Sequence, residues 1–115
     1  MSDCIFCRIV AGEIPAKEVA RAEGLVAFHD LNPQAPTHVL VVPEGHLVNA
    51  AAADSEEGER VLGRTLRFAV QVAKQLGLAE GGYRLVLNNG RNGGQSVDHL
   101  HVHVLGGRRM AWPPG

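Results

Sequence analysis

Residues 97–105 read Val97-Asp98-His99-Leu100-His101-Val102-His103-Val104-Leu105. Alternation of polar and apolar residues is the period of a β-strand, whose successive side chains point to opposite faces. A strand over this stretch puts His99, His101 and His103 on one face, about 6.7 Å apart from one to the next. Leu100, Val102 and Val104 then face a core. Thr, Lys or Glu would solvate a strand face more easily than imidazole does. Three alternating histidines therefore point to chemistry, either metal binding or phosphoryl transfer to a neutral imidazole nucleophile.

The residues just before this strand favour phosphate. Asn88 ends the preceding strand, and the loop Asn89-Gly90-Arg91-Asn92-Gly93-Gly94-Gln95-Ser96 follows. Gly90, Gly93 and Gly94 allow close backbone approach to a ligand, and bare N–H groups in such turns form anion nests. Ser96 adds a hydroxyl where the strand begins.

Further out, the chain divides into recognisable elements. Tyr83 to Asn88 is a strand. The stretch from about Ser55 to Leu76 is a helix, with Leu62, Leu66, Ala69, Ala73 and Leu76 on one face. Asp54 or Ser55 caps its start, Glu56 and Glu57 suit its positive end, and Gly77 is a C′ residue. Gly58 and Gly63 weaken its interior by up to ~1 kcal/mol each. His38 to Val42 is a strand closed by Pro43. Val19 to His29 holds two strands around a Glu23-Gly24 turn, and Asp30 to Pro36 is a loop broken by two prolines. Residues 4–10 form a short helix stopped by Gly12. These elements predict one α+β domain over residues 1–115. Its five-stranded sheet is mainly antiparallel, with the long helix as the only crossover and helical cover on one face.

Composition agrees. The chain has 115 residues, 45% of them apolar, enough to bury a core without disulfides. A net charge of -1 argues against a nucleic-acid polymer as partner, since that needs a basic stripe. No apolar run approaches the ~18 residues of a membrane span. The N-terminus has no basic and apolar leader pattern, so a cytoplasmic protein is expected. Six histidines outnumber the five Phe, Trp and Tyr residues together. Cys4 and Cys7 are spaced C-x-x-C, which fits a redox dithiol or half of a tetrahedral zinc site. No βαβ unit follows to support the redox reading.

The run from His99 to Leu105 resembles the signature of the histidine triad (HIT) family. The segment from Phe28 to His38, Gly93-Gly94-Gln95-Ser96 and the tail from Gly106 to Gly115 resemble its Hint branch, the histidine triad nucleotide-binding proteins. The likeness covers nearly the whole chain. It implies a homodimeric hydrolase that cleaves purine nucleoside phosphoramidates, such as adenosine 5′-monophosphoramidate, to a nucleoside monophosphate and an amine. By that resemblance His101 is the nucleophile and forms a nucleotidyl-histidine that water hydrolyses. His103 donates to a phosphate oxygen, Ser96 contacts the phosphate or the leaving nitrogen, and His38 belongs to a relay behind the site. Asp30 accepts the ribose hydroxyls. Phe6, Ile9, Phe28, His29 and Leu31 line the purine slot, while Asn88 and Gly94 border the phosphates. Some histidine triad proteins carry a structural Zn2+ on two Cys and two His, which here implies Cys4, Cys7, His46 and His99. The tail around Trp112 is implied to reach toward a partner subunit's site. Other readings of the residues are a dinucleoside polyphosphate hydrolase, a nucleotide-binding scaffold with incidental hydrolysis, and a zinc hydrolase with His99 and His101 as ligands.

Overall fold

The structure, a computed structural model, describes residues 3–115. In chain order it contains α1 (Ile5–Val10), β1 (Glu18–Ala22), β2 (Leu25–His29), β3 (Thr37–Pro43), a single 3-10 turn (Ala50–Ala52), α2 (Glu56–Gln75), β4 (Tyr83–Val86) and β5 (Val102–Gly106). The strands form one open sheet in the order β1-β2-β3-β5-β4, with every neighbouring pair antiparallel. β3 and β4 both run antiparallel to β5, so α2 is the crossover that joins two parallel strands. No helix among the described residues is long and apolar enough to cross a membrane.

Local chemistry sets the ends of α2. The Ser55 hydroxyl accepts the Gly58 N–H at 2.9 Å, so Ser55 rather than Asp54 is the cap. Glu56, Glu57 and Glu59 occupy the positive end of the helix dipole. At the far end Gly77 takes φ +78°, and Leu78 N–H reaches back to the Ala73 carbonyl. The buried face is Thr65, Phe68, Ala69, Val72 and Ala73. It is rotated from the expected one: Leu66 and Leu76 pack at its margin and Leu62 is half-buried. The leucine spacing marked the right side of the helix, but the shorter Val72 and Ala73 are the ones buried in the core with the sheet.

Both faces of the sheet are covered, not one. Leu25, Ala27, Val39, Val41, Val102 and Val104 pack under α2. Val26, Phe28, Leu40 and Val42 face the other way and pack with Phe6 of α1. β3 is therefore buried on nearly every residue, as its unbroken apolar run Val39 to Val42 permits. α1 is only six residues long, and one aromatic side chain, 5% exposed, gives it its hold on the sheet.

Two strands are shorter than the sequence suggests. β4 stops at Val86 rather than Asn88, and β5 starts at Val102 rather than Val97. His99, Leu100, His101 and Val102 are all buried, so the half-buried alternation fails over 97–101. There the backbone bonds outside the sheet ladder. Leu100 N–H donates to the Leu47 carbonyl, and the His99 carbonyl accepts from the His101 ring.

Gly58 also departs from the simple helix reading. A Cβ there would lie 2.7 Å from Ala53 Cα, so the glycine lets the 3-10 turn close onto α2. Gly63 has open space around its Cβ position. Gly63→Ala is expected to stabilise the protein by up to ~1 kcal/mol through helix propensity. Gly58→Ala is expected to destabilise it by about 1–3 kcal/mol through overpacking. Urea unfolding of both variants checks the opposite signs.

Candidate functional site

The register of the sheet builds the site on the α1 face. Phe28 pairs with Leu40, and Leu40 pairs with His103, so the three stand in a row across β2, β3 and β5. His38 pairs with Leu105 and lies diagonal to His103 on the same face. A cavity of about 220 Å³ opens over this row. It brings together Phe6, Ile9, Phe28, His29, Asp30, Leu31, Ser96, His101 and His103. β2 ends at His29, which frees Phe28, His29 and Asp30 from strict alternation and lets all three reach the cavity. Ile14, Pro15 and Ala16 of the α1–β1 connection also line it, and no motif in the sequence marks them. Asn88 and Gly94 are not among the lining residues. Asn88 is half-buried beyond β4, and Gly94 is exposed in a turn at φ +81°. A larger cavity of about 430 Å³, between α2 and the 43–47 segment, contains His46 but neither His101 nor His103.

The hydrogen bonds assign the imidazole protons. His101 Nδ1 lies 2.7 Å from the His99 carbonyl, so Nδ1 carries the hydrogen and donates. Its Nε2 keeps the lone pair. His38 Nδ1 accepts the Gln34 backbone N–H at 3.0 Å, which places the His38 hydrogen on Nε2. That Nε2 is 2.8 Å from His103 Nδ1, which accepts, and the His103 hydrogen is left on Nε2. The chain of donors runs Gln34, His38, His103, cavity. Burial lowers the pKa of His38 against the opposing pull of Asp30. Burial, reinforced by His101 and His38, pushes His103 down to about 4. Neutral rings are what this chain requires. Asp30 Oδ1 accepts the Asn32 N–H at 2.8 Å, an Asx turn, while Oδ2 lies 3.4 Å from His38 Nε2. The rings of His101 and His103 are 5.0 Å apart, and Phe6 meets His101 edge-on at 5.1 Å.

Behind Phe6, Cys4, Cys7, His46 and His99 converge, with their ligand atoms all within 4.8 Å of one another. Cys4 Sγ and Cys7 Sγ lie 3.3 and 3.4 Å from His99 Nδ1, and Cys7 Sγ is 3.3 Å from His46 Nδ1. His99 Nε2 donates to the Pro43 carbonyl at 2.8 Å. That bond fixes the tautomer with a bare Nδ1 facing the sulfurs, as a metal-ligating histidine needs. Asp30, His38 and His103 also lie close enough to share an ion. The Gln34 N–H argues against one, because it holds His38 in the tautomer whose Nε2 is protonated. His99 thus belongs with the cysteines, and His101 does not share its set, contrary to a zinc hydrolase built on His99 and His101.

Gln95 is a residue that sequence reasoning passed over. Its Oε1 accepts Gly90 N–H at 2.8 Å, and its Nε2 donates to Val48 O at 2.7 Å and Val97 O at 2.9 Å. It ties the glycine loop to the segment after β3 and so holds Ser96 at the cavity. A lone amide between glycines and a serine gave no sign of this.

The HIT domain family matches residues 11–110 of the chain. This chain belongs to the HIT family. A 14 kDa zinc-binding protein of Zea mays is 51% identical over 116 residues, covering 99% of this chain and 89% of the maize protein. The crystal structure of a HIT family hydrolase from Legionella pneumophila Philadelphia 1 superposes with TM-score 0.93 at 45% identity, covering 98% of this chain and all of that one. A histidine triad protein from Clostridium difficile gives TM-score 0.91 at 38% identity, with 96% of each chain covered. The HIT sheet, crossover helix and short first helix are thus shared with solved relatives.

The depressed His103 pKa sets a stability window. Below about 6.5 the unfolded chain binds a proton at His103 that the folded chain refuses until about 4. Stability contributed by neutral His103 is therefore lost as pH falls through that range. Urea midpoints of His103→Gln should fall less between about pH 6.5 and pH 4 than those of the wild type. An equal fall in both would count against the buried neutral ring.

Proposed function

We propose that this HIT chain is a single-domain member of the Hint branch that hydrolyses purine nucleoside 5′-phosphoramidates to a nucleoside monophosphate and an amine. The observation that carries the reading is the His101 ring, which lines the cavity with its Nδ1–H spent on the His99 carbonyl and its Nε2 lone pair unspent. Nε2 attacks phosphorus, the P–N bond to the leaving amine breaks, and a P–N bond to His101 forms. The amine takes up a proton, for which the exposed Ser96 hydroxyl is a conduit from water. Water then cleaves the nucleotidyl-histidine and restores the neutral ring. Dividing one difficult displacement into two easier ones is the gain from a covalent nucleophile. The His103 Nε2–H stabilises the charge on the non-bridging oxygens, which is the main demand of phosphoryl transfer.

The remaining contacts fit a nucleoside. Phe6, Ile9, Phe28 and Leu31 supply an apolar slot for a purine, and Leu31 stands 91% exposed at its edge. Asp30 uses Oδ1 for its turn, and its Oδ2, 3.4 Å from His38 Nε2, would accept ribose hydroxyls with its remaining lone-pair capacity. Asn88 and Gly94 lie outside this cavity. A homodimer is part of the same proposal: β4 is a sheet edge, and Leu62, Leu66 and Val70 are half-buried along α2. The tail is anchored by the Arg84 guanidinium, which donates to the Ala111 carbonyl at 2.8 Å, with Trp112 beyond it 81% exposed. That exposure suits an arm that reaches a partner subunit. A cytoplasmic location fits such a small-molecule hydrolase.

The Cys4, Cys7, His46 and His99 set suits a structural Zn2+, and the maize relative is named for zinc binding. Four protein ligands would close the shell, so the ion would crosslink α1 to the His99 segment and take no part in the reaction.

His101→Ala should lower turnover of adenosine 5′-monophosphoramidate by roughly 10³-fold or more. Calorimetry should show nucleoside monophosphate binding retained. Persistent turnover would sink the mechanism. A panel of nucleoside phosphoramidates and dinucleoside polyphosphates, run with and without chelator, separates the Hint reading from its neighbours, and turnover should survive the chelator. Elemental analysis should find about one zinc per chain, reduced in Cys7→Ser along with the melting temperature.

A further inference from the structure

Gln34 sits where the proline-broken loop enters β3, and its backbone makes two bonds in opposite directions. Its N–H goes to His38 Nδ1 at 3.0 Å, and its carbonyl accepts from Arg108 Nη2 at 2.9 Å. Arg108 Nη1 also donates to the Arg109 carbonyl at 3.1 Å. The guanidinium fork therefore braces the chain just past β5 against the loop just before β3. Packing points the same way. Gly107 lies against Pro36, where a Cβ would meet Pro36 Cβ at 2.8 Å. The Gln34 side chain closes the loop further, donating to the Asn32 carbonyl at 3.0 Å.

We propose that Arg108, on the surface outside the cavity, is a positioning residue that sets the proton arrangement of the His38–His103 relay by holding Gln34. The inference rests on the phosphoramidase reading for its consequence, but not for its geometry. With Gln34 N–H in place, His38 Nδ1 can only accept, its hydrogen sits on Nε2, and His103 presents a donor to the cavity. With Gln34 released, only Asp30 Oδ2, 3.4 Å from His38 Nε2, still favours a hydrogen there, and Nδ1 is able to hold the hydrogen in part of the population. Nε2 then accepts from His103 Nδ1–H, and His103 turns a lone pair toward the cavity. A lone pair there repels the phosphate oxygens that the donor would stabilise. Arg108 neither lines the cavity nor bonds His38, and it reaches the relay through the Gln34 backbone. A lysine keeps the charge but not the two-pronged fork.

The test is 15N NMR of the imidazole nitrogens in the full-length protein, beside steady-state kinetics. The wild type should show His38 with a bare Nδ1 and a protonated Nε2. Arg108→Met should move that signal pair toward the opposite tautomer. It should also lower kcat for adenosine 5′-monophosphoramidate about tenfold with KM within about twofold, well short of the ~100-fold that an ångström's misplacement can cost. Arg108→Lys should shift both readouts less, in the same direction, and it carries the test if Arg108→Met does not fold. Arg84→Met, which loosens the same tail at Ala111, should leave the His38 signals in place. An unchanged His38 tautomer in both Arg108 variants overturns the proposal, as does an equal shift in Arg84→Met. The spectrum needs no substrate, so a wild type inactive on phosphoramidates would fault the activity reading separately.

Discussion

The reactive end of this sheet depends on one buried ring. His99 has no exposed surface, and each of its polar groups has a distinct task. Nε2–H is given to the Pro43 carbonyl, Nδ1 faces the two cysteines, and the main-chain carbonyl takes the His101 ring hydrogen. A buried imidazole is costly to leave unpaired, so these bonds constrain one another. If the ring turned over, Nε2 would lose its acceptor and the sulfurs would lose theirs. If the backbone shifted, His101 would lose the contact that keeps its lone pair on Nε2. The Cys/His cluster and the His101 ring geometry thus both depend on one residue, and neither is a local property of its own side chain.

Around that ring the sheet does two different jobs on its two faces. Under α2 the packing is apolar except for Thr65, whose hydroxyl donates to the Val61 carbonyl, and it gives the fold its mass. Under α1 the apolar layer of Val26, Phe28, Leu40 and Val42 is interrupted by His38 and His103 from the same rows of β3 and β5. The interruption is tolerable because the two rings bond each other and the Gln34 backbone. Burial lowers the pKa of both, and neutral rings let a single chain of hydrogens run outward from the backbone to the cavity. Phe6 joins the halves of the site: its ring meets Phe28, His99 and His101 at 5.6, 5.9 and 5.1 Å.

Much of this was legible in residue types. The 2-residue period of 102–105, the apolar run of β3, the capped amphipathic α2 and the Glu23-Gly24 turn are local signals, and each element formed where its signal lay. The metal set was legible in a different way. C-x-x-C asked for two more ligands, and the resemblance pointed to His46 and His99. What failed was reasoning by continuity. Alternation was extended to His99 and His101, yet those residues have left the sheet. Helical cover was assigned to one face, because a six-residue helix carries little periodic signal and Phe6 is its one fully buried side chain. Gln95 and Arg108 were invisible because their bonds go to backbone atoms, Val48 and Gln34 far along the chain among them, which residue type does not encode.

The sequence by itself determined which residues this protein could use. Six imidazoles, two thiols, one carboxylate in a proline-rich loop and a glycine loop ahead of a serine point toward phosphoryl or metal chemistry. The local periods determine the strands and helices that carry them. Only the tertiary structure decided where the hydrogen sits on the rings of His38, His99, His101 and His103. A neutral imidazole has two nitrogens and one hydrogen, and nothing in its identity says where that hydrogen sits. The carbonyls of Pro43 and His99 and the N–H of Gln34 decide it, and those groups reach the rings only after β3, β5 and α1 have packed together.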